Sequence, residues 1–488
     1  MNGKLDILNC YLCAKCECAK VCSKLDLEKI LLGVWFDNEK YIASSLPNKN
    51  PCLRCDGRCQ RNCVSSHVYI KDLIKYLYSI KKECKKIKCK PNILQTSFFG
   101  KHMENPFMLS SSIVSSSYKK LAAAFKLGWA GASIKSISYI KSDEASPRYN
   151  ATKSRQGSFD SFKNIEQLSV HSPEQDMAMI RRLKKDFPTK IIIASVVGRN
   201  GAEWVKLAKM AQSAGADAVE LSYSCPNMED QDSETDIGQN PKAIKKFTSL
   251  VRKAVKIPIL VKLTPNVASM VDSALAVKES NANGIVAIDT VKSIMEPMAK
   301  SSKNDNICIG GMSGKAIKPI ALRFIAEMKK HPKLKSLHLV GVGGIETYND
   351  VLDYLSLGCD WIQVTTAIMQ YGVRIIKPLI DGLSYYMTSH NITGVKKLVG
   401  ARLKKVKPLN KIERNTIIYP KFNRNKCIKC GRCYISCRDG GQNAISLDKN
   451  GYPLLNSNKC VGCHLCTFVC PKKAVISSDT KVKHLRNK

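Results

Sequence analysis

At 488 residues, 44% of them apolar, the chain is long enough for a large folded core and too hydrophobic to be a disordered one. No apolar run approaches the roughly 18 residues of a membrane helix, and the opening "MNGKLDILNCYLC" lacks the charged start and apolar stretch of a secretory signal, so a cytoplasmic protein with no membrane partner is expected. The net charge of +38 comes from lysines spread along the whole chain; it admits nucleic-acid binding, docking of an acidic redox protein, or a lysine-rich composition with no specific partner.

Cysteine use divides the chain. Of 22 cysteines, eleven fall in residues 1–92, three in about 93–415 and eight in the remainder. Such density in a reducing compartment argues for metal rather than disulfides. The expected organisation is a helical, cysteine-rich segment at 1–92, a barrel at 93–403, a basic linker at 404–421 ("KKVKPLNKIERNTIIYPK") and a small cysteine domain at 422–488.

In the first segment Cys10, Cys13, Cys18 and Cys22 are spaced C-x2-C-x4-C-x3-C, and Cys52, Cys55, Cys59 and Cys63 are spaced C-x2-C-x3-C-x3-C. Cys16 lies inside the first run and can replace a member. Two [4Fe–4S] clusters are expected, with one or two zinc sites as the alternative. Spacing alone does not say how the two runs share ligands.

The middle segment alternates short β-branched runs with amphipathic stretches. Strands are predicted at 106–111, 131–135, 190–197, 217–222, 258–263, 284–289, 337–342 and 360–365, with helical patterns between them such as 319–330. Eight strands alternating with helices over about 300 residues predict an α/β fold, a (β/α)8 TIM barrel. A doubly wound sheet is the main alternative, but no G-x-G-x-x-G follows any strand. Barrel active sites lie at the C-terminal ends of strands. Lys135 and Lys262 fall there, as do the small-residue loops "SGK" (313–315), "GVGGIET" (341–347) and "VTTAIM" (364–369), whose amides suit a phosphate. Cys225 opens a polar loop after the fourth strand. A lone cysteine is commonly a buried structural residue, but a thiol in that place can give or take a proton.

At the C-terminal end Cys427, Cys430, Cys433 and Cys437 are spaced C-x2-C-x2-C-x3-C, and Cys460, Cys463, Cys466 and Cys470 repeat the pattern, with Pro471 next. This is the bacterial-ferredoxin spacing for two [4Fe–4S] clusters, in which the fourth cysteine of each run ligates the other cluster. Cys427, Cys430, Cys433 and Cys470 are therefore expected on one cluster, and Cys460, Cys463, Cys466 and Cys437 on the other. A zinc ribbon would use paired C-x2-C units, not two complete runs of four. Arg438 stands where proline usually follows the fourth cysteine.

The stretches "ASPR" (145–148), "NIEQ" (164–167), "SCP" (224–226), "KLTPN" (262–266), "SGKAIKPIALRFI" (313–325), "GGIET" (343–347), "QVTTAIMQYG" (363–372) and "CGRCYISCRDGG" (430–441) resemble the flavin and iron–sulfur half of dihydropyrimidine dehydrogenases, within the dihydroorotate dehydrogenase superfamily. The resemblance is strongest to the bacterial catalytic subunits and runs from about residue 93 to 475. "CLRCDGRCQRNC" (52–63) is similar to the cluster-binding helical domain of the long, single-chain dehydrogenases. Those continue into FAD and NADPH domains, whereas this chain continues into the barrel.

The resemblance implies FMN near Ser111, Lys135, Ser136, Lys262, Gly314, Gly343, Gly344, Thr365 and Thr366. It implies a pyrimidine ring held by Asn164, Thr290 and the residues at 222 and 289, reduced across its 5,6 double bond, with Cys225 as general acid. Ser222 and Asp289 stand where the family has asparagine. It further implies a separate NAD(P)H-oxidising flavoprotein subunit or a ferredoxin as electron partner. Nucleic acid is not expected as a partner, and a homo- or hetero-oligomer is left open. The rival readings are a tRNA-modifying flavin barrel, a non-catalytic electron-transfer subunit and a dihydroorotate dehydrogenase-like enzyme with another substrate.

Overall fold

The computed structural model describes residues 7, 10–14, 16–65, 67–84, 89–90, 92–141, 143–153, 158–223, 237–295 and 307–483. It divides into two compact units, Met1–Lys405 and Val406–Lys488.

All eight predicted strands form and close into one parallel barrel. In chain order they are β1 (Phe107–Leu109), β2 (Gly131–Ile137), β3 (Ile191–Val196), β4 (Ala218–Ser222), β5 (Ile259–Lys262), β6 (Gly284–Ala287), β7 (His338–Gly341) and β8 (Trp361–Val364). Each pairs with the next, and β8 closes on β1 with Val364 opposite Leu109. The period-two geometry of a strand sorts their side chains into two layers. Met108, Ile191, Ile193, Ala218, Leu260, Val286, Val340 and Trp361 form one apolar cluster. Their neighbours Phe107, Leu109, Ile192, Val219, Val261, Ile285, Leu339 and Ile362 join the cluster that includes the surrounding helices. A hairpin, Thr96–Phe98 with Lys101–Met103, adds Phe98 and Met103 to the inner cluster, with the Phe98 ring 4.7 Å from that of Trp361. The base of the barrel is thereby filled with side chains, leaving the C-terminal mouth for a site.

A feature not foreseen from the sequence is a four-stranded antiparallel sheet, ordered Val291–Ser293, Gly310–Ser313, Phe159–Asn164, Tyr149–Lys153. Its strands follow β2 and β6 and are short or interrupted by polar residues, so their pattern is weak in the sequence.

The N-terminal segment is helical: Leu27–Trp35, Glu39–Ser45 and Ile70–Lys81 pack Leu27, Leu31, Ile42, Leu73, Ile74 and Leu77 into a core of their own. It rests on the last helices of the barrel. Asn38 Nδ2 donates to the Pro378 carbonyl at 2.7 Å, and the Tyr371 ring lies 5.1 Å from Phe36 and 6.2 Å from Trp35.

In the second unit Thr416–Phe422 pairs antiparallel with Val475–Lys483, so the end of the expected linker is a strand of the C-terminal unit. Two short helices, Arg432–Gly440 and Leu465–Val469, each carry part of one cysteine run. No helix among the described residues is long and apolar enough to cross a membrane.

Candidate active site and cluster sites

The strands of the barrel deliver their last residues to a single cavity. It is lined by Ser111, Lys135, Ser136, Asn164, Ser222, Lys262, Asp289, Thr290, Gly314, Gly343, Gly344, Thr365 and Thr366. Every described residue that the resemblance assigned to flavin or ring is thus brought together. Counting the solvent space at its open mouth, the cavity spans about 1110 Å³. Cys225 lies outside the described residues. The two ends of its loop are close, because a Cβ on Gly238 would overlap the Tyr223 carbonyl, and Tyr223 is buried with its hydroxyl 3.0 Å from that of Thr248.

Both cavity lysines are buried and matched by carboxylates. Lys135 Nζ lies 3.5 Å from Glu166 and 3.8 Å from Glu144, and Lys262 Nζ lies 3.6 Å from Asp289 Oδ1. Ser222 sits directly opposite Lys262 in the β4–β5 register. Tyr149 donates to Glu166 at 2.5 Å, and burial followed by this hydrogen bond raises the phenol's pKa. A chain of hydroxyls crosses the other wall: Ser111 to Ser136 at 3.2 Å, and Ser136 to Ser195 at 3.1 Å.

One end of the cavity is built from glycine. Gly343 and Gly344 have φ of +121° and +69°, and a Cβ on Gly344 would meet the Gly314 carbonyl at 2.7 Å and Lys318 Cβ at 2.9 Å. Only glycine lets these loops close on each other at such positive φ in the cavity wall. Ser313 and Thr366 share a hydrogen bond of 2.8 Å beside them. Glu346, next along, is buried 3.2 Å from Lys315. Burial pushes its carboxyl up to about 7, against the pull of Lys315. The glycine cradle, hydroxyls and lysines suit a flavin phosphate and ring, so the donor set fits FMN.

Several cavity residues were not singled out from sequence: Glu166, Gln363 and Glu346. All three lie inside family-like stretches, "NIEQ", "QVTTAIM" and "GGIET". Gln363 Nε2 donates to buried Glu220 at 3.3 Å, and Ser110 donates to its Oε1 at 3.0 Å. A polar residue in an otherwise apolar strand was the available signal.

The cysteines gather in sets that cross between runs. In the C-terminal unit one cavity is lined by Cys427, Cys430, Cys433 and Cys470. Cys460 has Cys437 and Cys463 as electrostatic neighbours, and burial, then Cys463 and Cys460, pushes the Cys466 thiol up to about 11. In the N-terminal segment one cavity is lined by Cys10, Cys13, Cys16, Cys18 and Cys63, together with Arg374 of the barrel. Burial pushes the Cys10 thiol up to about 11, and its neighbours Cys63, Cys13 and Cys16 add to this. The second set joins Cys22 to Cys52, Cys55 and Cys59, with burial and these neighbours taking Cys52 up to about 11. Cys22 and Cys63, the last member of each run, have therefore changed places. Arg374 donates to the carbonyls of Leu12 and Cys13, the latter at 3.2 Å, which ties the first set to the barrel. Among the described residues no group of three or more His, Cys, Asp or Glu side chains is arranged around a single metal ion.

A (β/α)8 barrel with a lysine- and glycine-lined cavity at its strand ends, continued by paired cysteine runs, defines a flavin- and iron–sulfur-dependent oxidoreductase. Residues 93–387 match the model of the dihydroorotate dehydrogenase family, and 421–477 match a 4Fe-4S dicluster domain. The chain belongs to the dihydroorotate dehydrogenase family. It is 42% identical over 357 residues to the NAD-dependent dihydropyrimidine dehydrogenase subunit PreA of Escherichia coli (strain K12), covering 72% of this chain and 87% of that one. It is 31% identical over 330 residues to the chloroplastic dihydropyrimidine dehydrogenase (NADP(+)) of Arabidopsis thaliana, covering 64% and 77%. It is 30% identical over 315 residues to the catalytic subunit of dihydroorotate dehydrogenase B (NAD(+)) of Pyrococcus abyssi, covering 64% and 100%.

Proposed function

We propose that the chain interconverts a pyrimidine base and its 5,6-dihydro form, with electrons passed through [4Fe–4S] clusters to a separate redox partner. The observation that carries this reading is the single cavity at the barrel mouth, which gathers the flavin- and ring-binding residues in a chain that also bears a dicluster domain.

Bound there, FMN supplies hydride transfer to or from a ring carbon. Gly314, Gly343, Gly344, Thr365 and Thr366 hold its phosphate through amides and hydroxyls. Lys262 and Lys135 place positive charge in the cavity where reduction leaves negative charge. Asn164, Ser222, Asp289 and Thr290 face the ring. Cys225, just beyond the end of β4, donates the proton to the neighbouring carbon as general acid. The buried, charge-matched lysines favour this reading over a decayed, non-catalytic pocket.

The crossed cysteine sets support four clusters. Cys63 joins the first N-terminal run, in which Cys18 or the adjacent Cys16, 3.4 Å away, completes the set. Cys22, Cys52, Cys55 and Cys59 make the second. The C-terminal pair follows the ferredoxin exchange of Cys437 and Cys470. A flavoprotein subunit that oxidises NAD(P)H, or a ferredoxin, is the partner. The test is anaerobic protein with reduced flavin, mixed with a panel of pyrimidine bases. Reoxidation by at least one base is expected, and a flavin that none of them reoxidises refutes pyrimidine reduction.

A further inference from the structure

The hydrogen-bonding groups at the ring-facing end of the cavity are unevenly matched to a pyrimidinedione. Asp289 places a carboxylate there, 15% exposed, with Oδ1 accepting from the Thr290 amide at 2.8 Å and lying 3.6 Å from Lys262 Nζ. Ser222 adds one hydroxyl opposite Lys262. The Asn164 side chain is engaged on both sides: its Nδ2 donates to the Gly311 carbonyl at 3.1 Å, and its Oδ1 accepts from the Glu166 amide at 3.3 Å. A carboxylate only accepts hydrogen bonds. The keto oxygens of uracil or thymine also only accept, and each ring N–H of these bases has a keto oxygen beside it, so setting an N–H on Asp289 gives one hydrogen bond and brings a keto oxygen against the negative charge. A ring edge with a ring N–H beside an exocyclic amino group gives a carboxylate two parallel hydrogen bonds, the arrangement by which carboxylates bind planar two-donor forks.

We propose that this site takes a 2-amino-4-oxopyrimidine ring, with its N–H and amino edge on Asp289, in preference to a 2,4-dioxopyrimidine. This rests on the pyrimidine reading above and names the substrate class within it. The competing role for Asp289 is as counter-charge to Lys262 alone. In that role its removal alters the flavin equally whichever ring is bound.

The experiment titrates the flavin-loaded, anaerobic protein with isocytosine, cytosine, uracil and thymine, reading each Kd from the perturbed flavin absorbance. Isocytosine is expected to bind at least about tenfold more tightly than uracil or thymine, the effect of one buried group left unmatched. Cytosine, whose amino group adjoins an acceptor nitrogen, should fall between. Asp289→Asn should bring uracil level with isocytosine or ahead of it. Uracil binding the native protein as tightly as isocytosine would overturn the proposal, and this comparison needs no variant. So would an Asp289→Asn protein with a shifted flavin spectrum but an unchanged order of rings, which would leave Asp289 as the partner of Lys262 only. If none of the four rings perturbs the flavin, the pyrimidine reading itself fails, and the proposal falls with it.

Discussion

Lys135 and Lys262 show how far a residue can be read before its surroundings are known. Their positions at strand ends were legible, because strand periodicity and the barrel rule place them. Their carboxylate partners were not: Glu144, Glu166 and Asp289 all lie in loops, after β2, after the Phe159–Asn164 strand and after β6, and no local pattern says which lysine each will meet. Cys225 was picked out by its place after β4. Cys225→Ala should retain FMN and lose about 10²–10⁴-fold in pyrimidine turnover, the usual cost of removing a general acid; unchanged turnover in steady-state assays would make the residue structural. Glu346 offers a test by pH. Its carboxyl is raised from 4.5 to about 7 in the folded chain, chiefly by burial. The folded state therefore binds more protons than the unfolded state across that window, and stability falls as pH rises through it. At most about 3 kcal/mol is involved. Thermal unfolding at pH 5 and pH 8 should show a smaller loss at the higher pH in Glu346→Gln than in the native chain.

The eight strands were predictable as elements because each is a short apolar run bounded by polar turns, and all eight formed within one or two residues of their expected limits. What joins them is less visible. Asp217, just before β4, is buried and accepts from the Ile192 amide of β3 at 2.8 Å and from Lys184 Nζ at 2.8 Å, with Lys101 as a further partner. It pins two strands and a helix at the base of the barrel, away from the cavity. Asp217→Ala takes the side-chain acceptor from the buried Ile192 amide and the counter-charge from Lys184, which keeps the Pro188 and Lys190 carbonyls; the loss should cost about 1–3 kcal/mol. A lowered urea midpoint with normal flavin content is the expected result, and an unchanged midpoint would show the contact to be dispensable.

For the whole molecule, the proposed function has electrons enter through the cysteine sets. The first N-terminal cavity includes Arg374, which also bonds the Tyr371 carbonyl at 3.3 Å, and the helix ending at Tyr371 begins at Thr366 in the flavin cavity. One short helix thus separates the two sites. Anaerobic protein should carry one FMN and about sixteen irons, four for each cysteine set. A count near eight, or zinc at the N-terminus, would remove the N-terminal clusters. NADH or NADPH alone should leave the flavin absorbance unchanged, since no Gly-rich dinucleotide loop is present in the sequence. Reduction by an acidic ferredoxin should slow as salt screens the net charge of +38. Rapid bleaching by the nucleotide alone would overturn the need for a partner.

The sequence by itself determined the barrel, its site end and the ferredoxin pair, since each is encoded in short-range order: alternation within strands, residues at strand ends, and C-x2-C-x2-C-x3-C spacing repeated. The four-stranded sheet at the mouth, the carboxylates facing Lys135 and Lys262, and the exchange of Cys22 and Cys63 between N-terminal sets were decided only by the tertiary structure. Cys22 and Cys63 lie far apart along the chain, and Glu166 reaches Lys135 from the loop after the Phe159–Asn164 strand. Spacing records how near residues are along the backbone, and only folding records which of them meet across it.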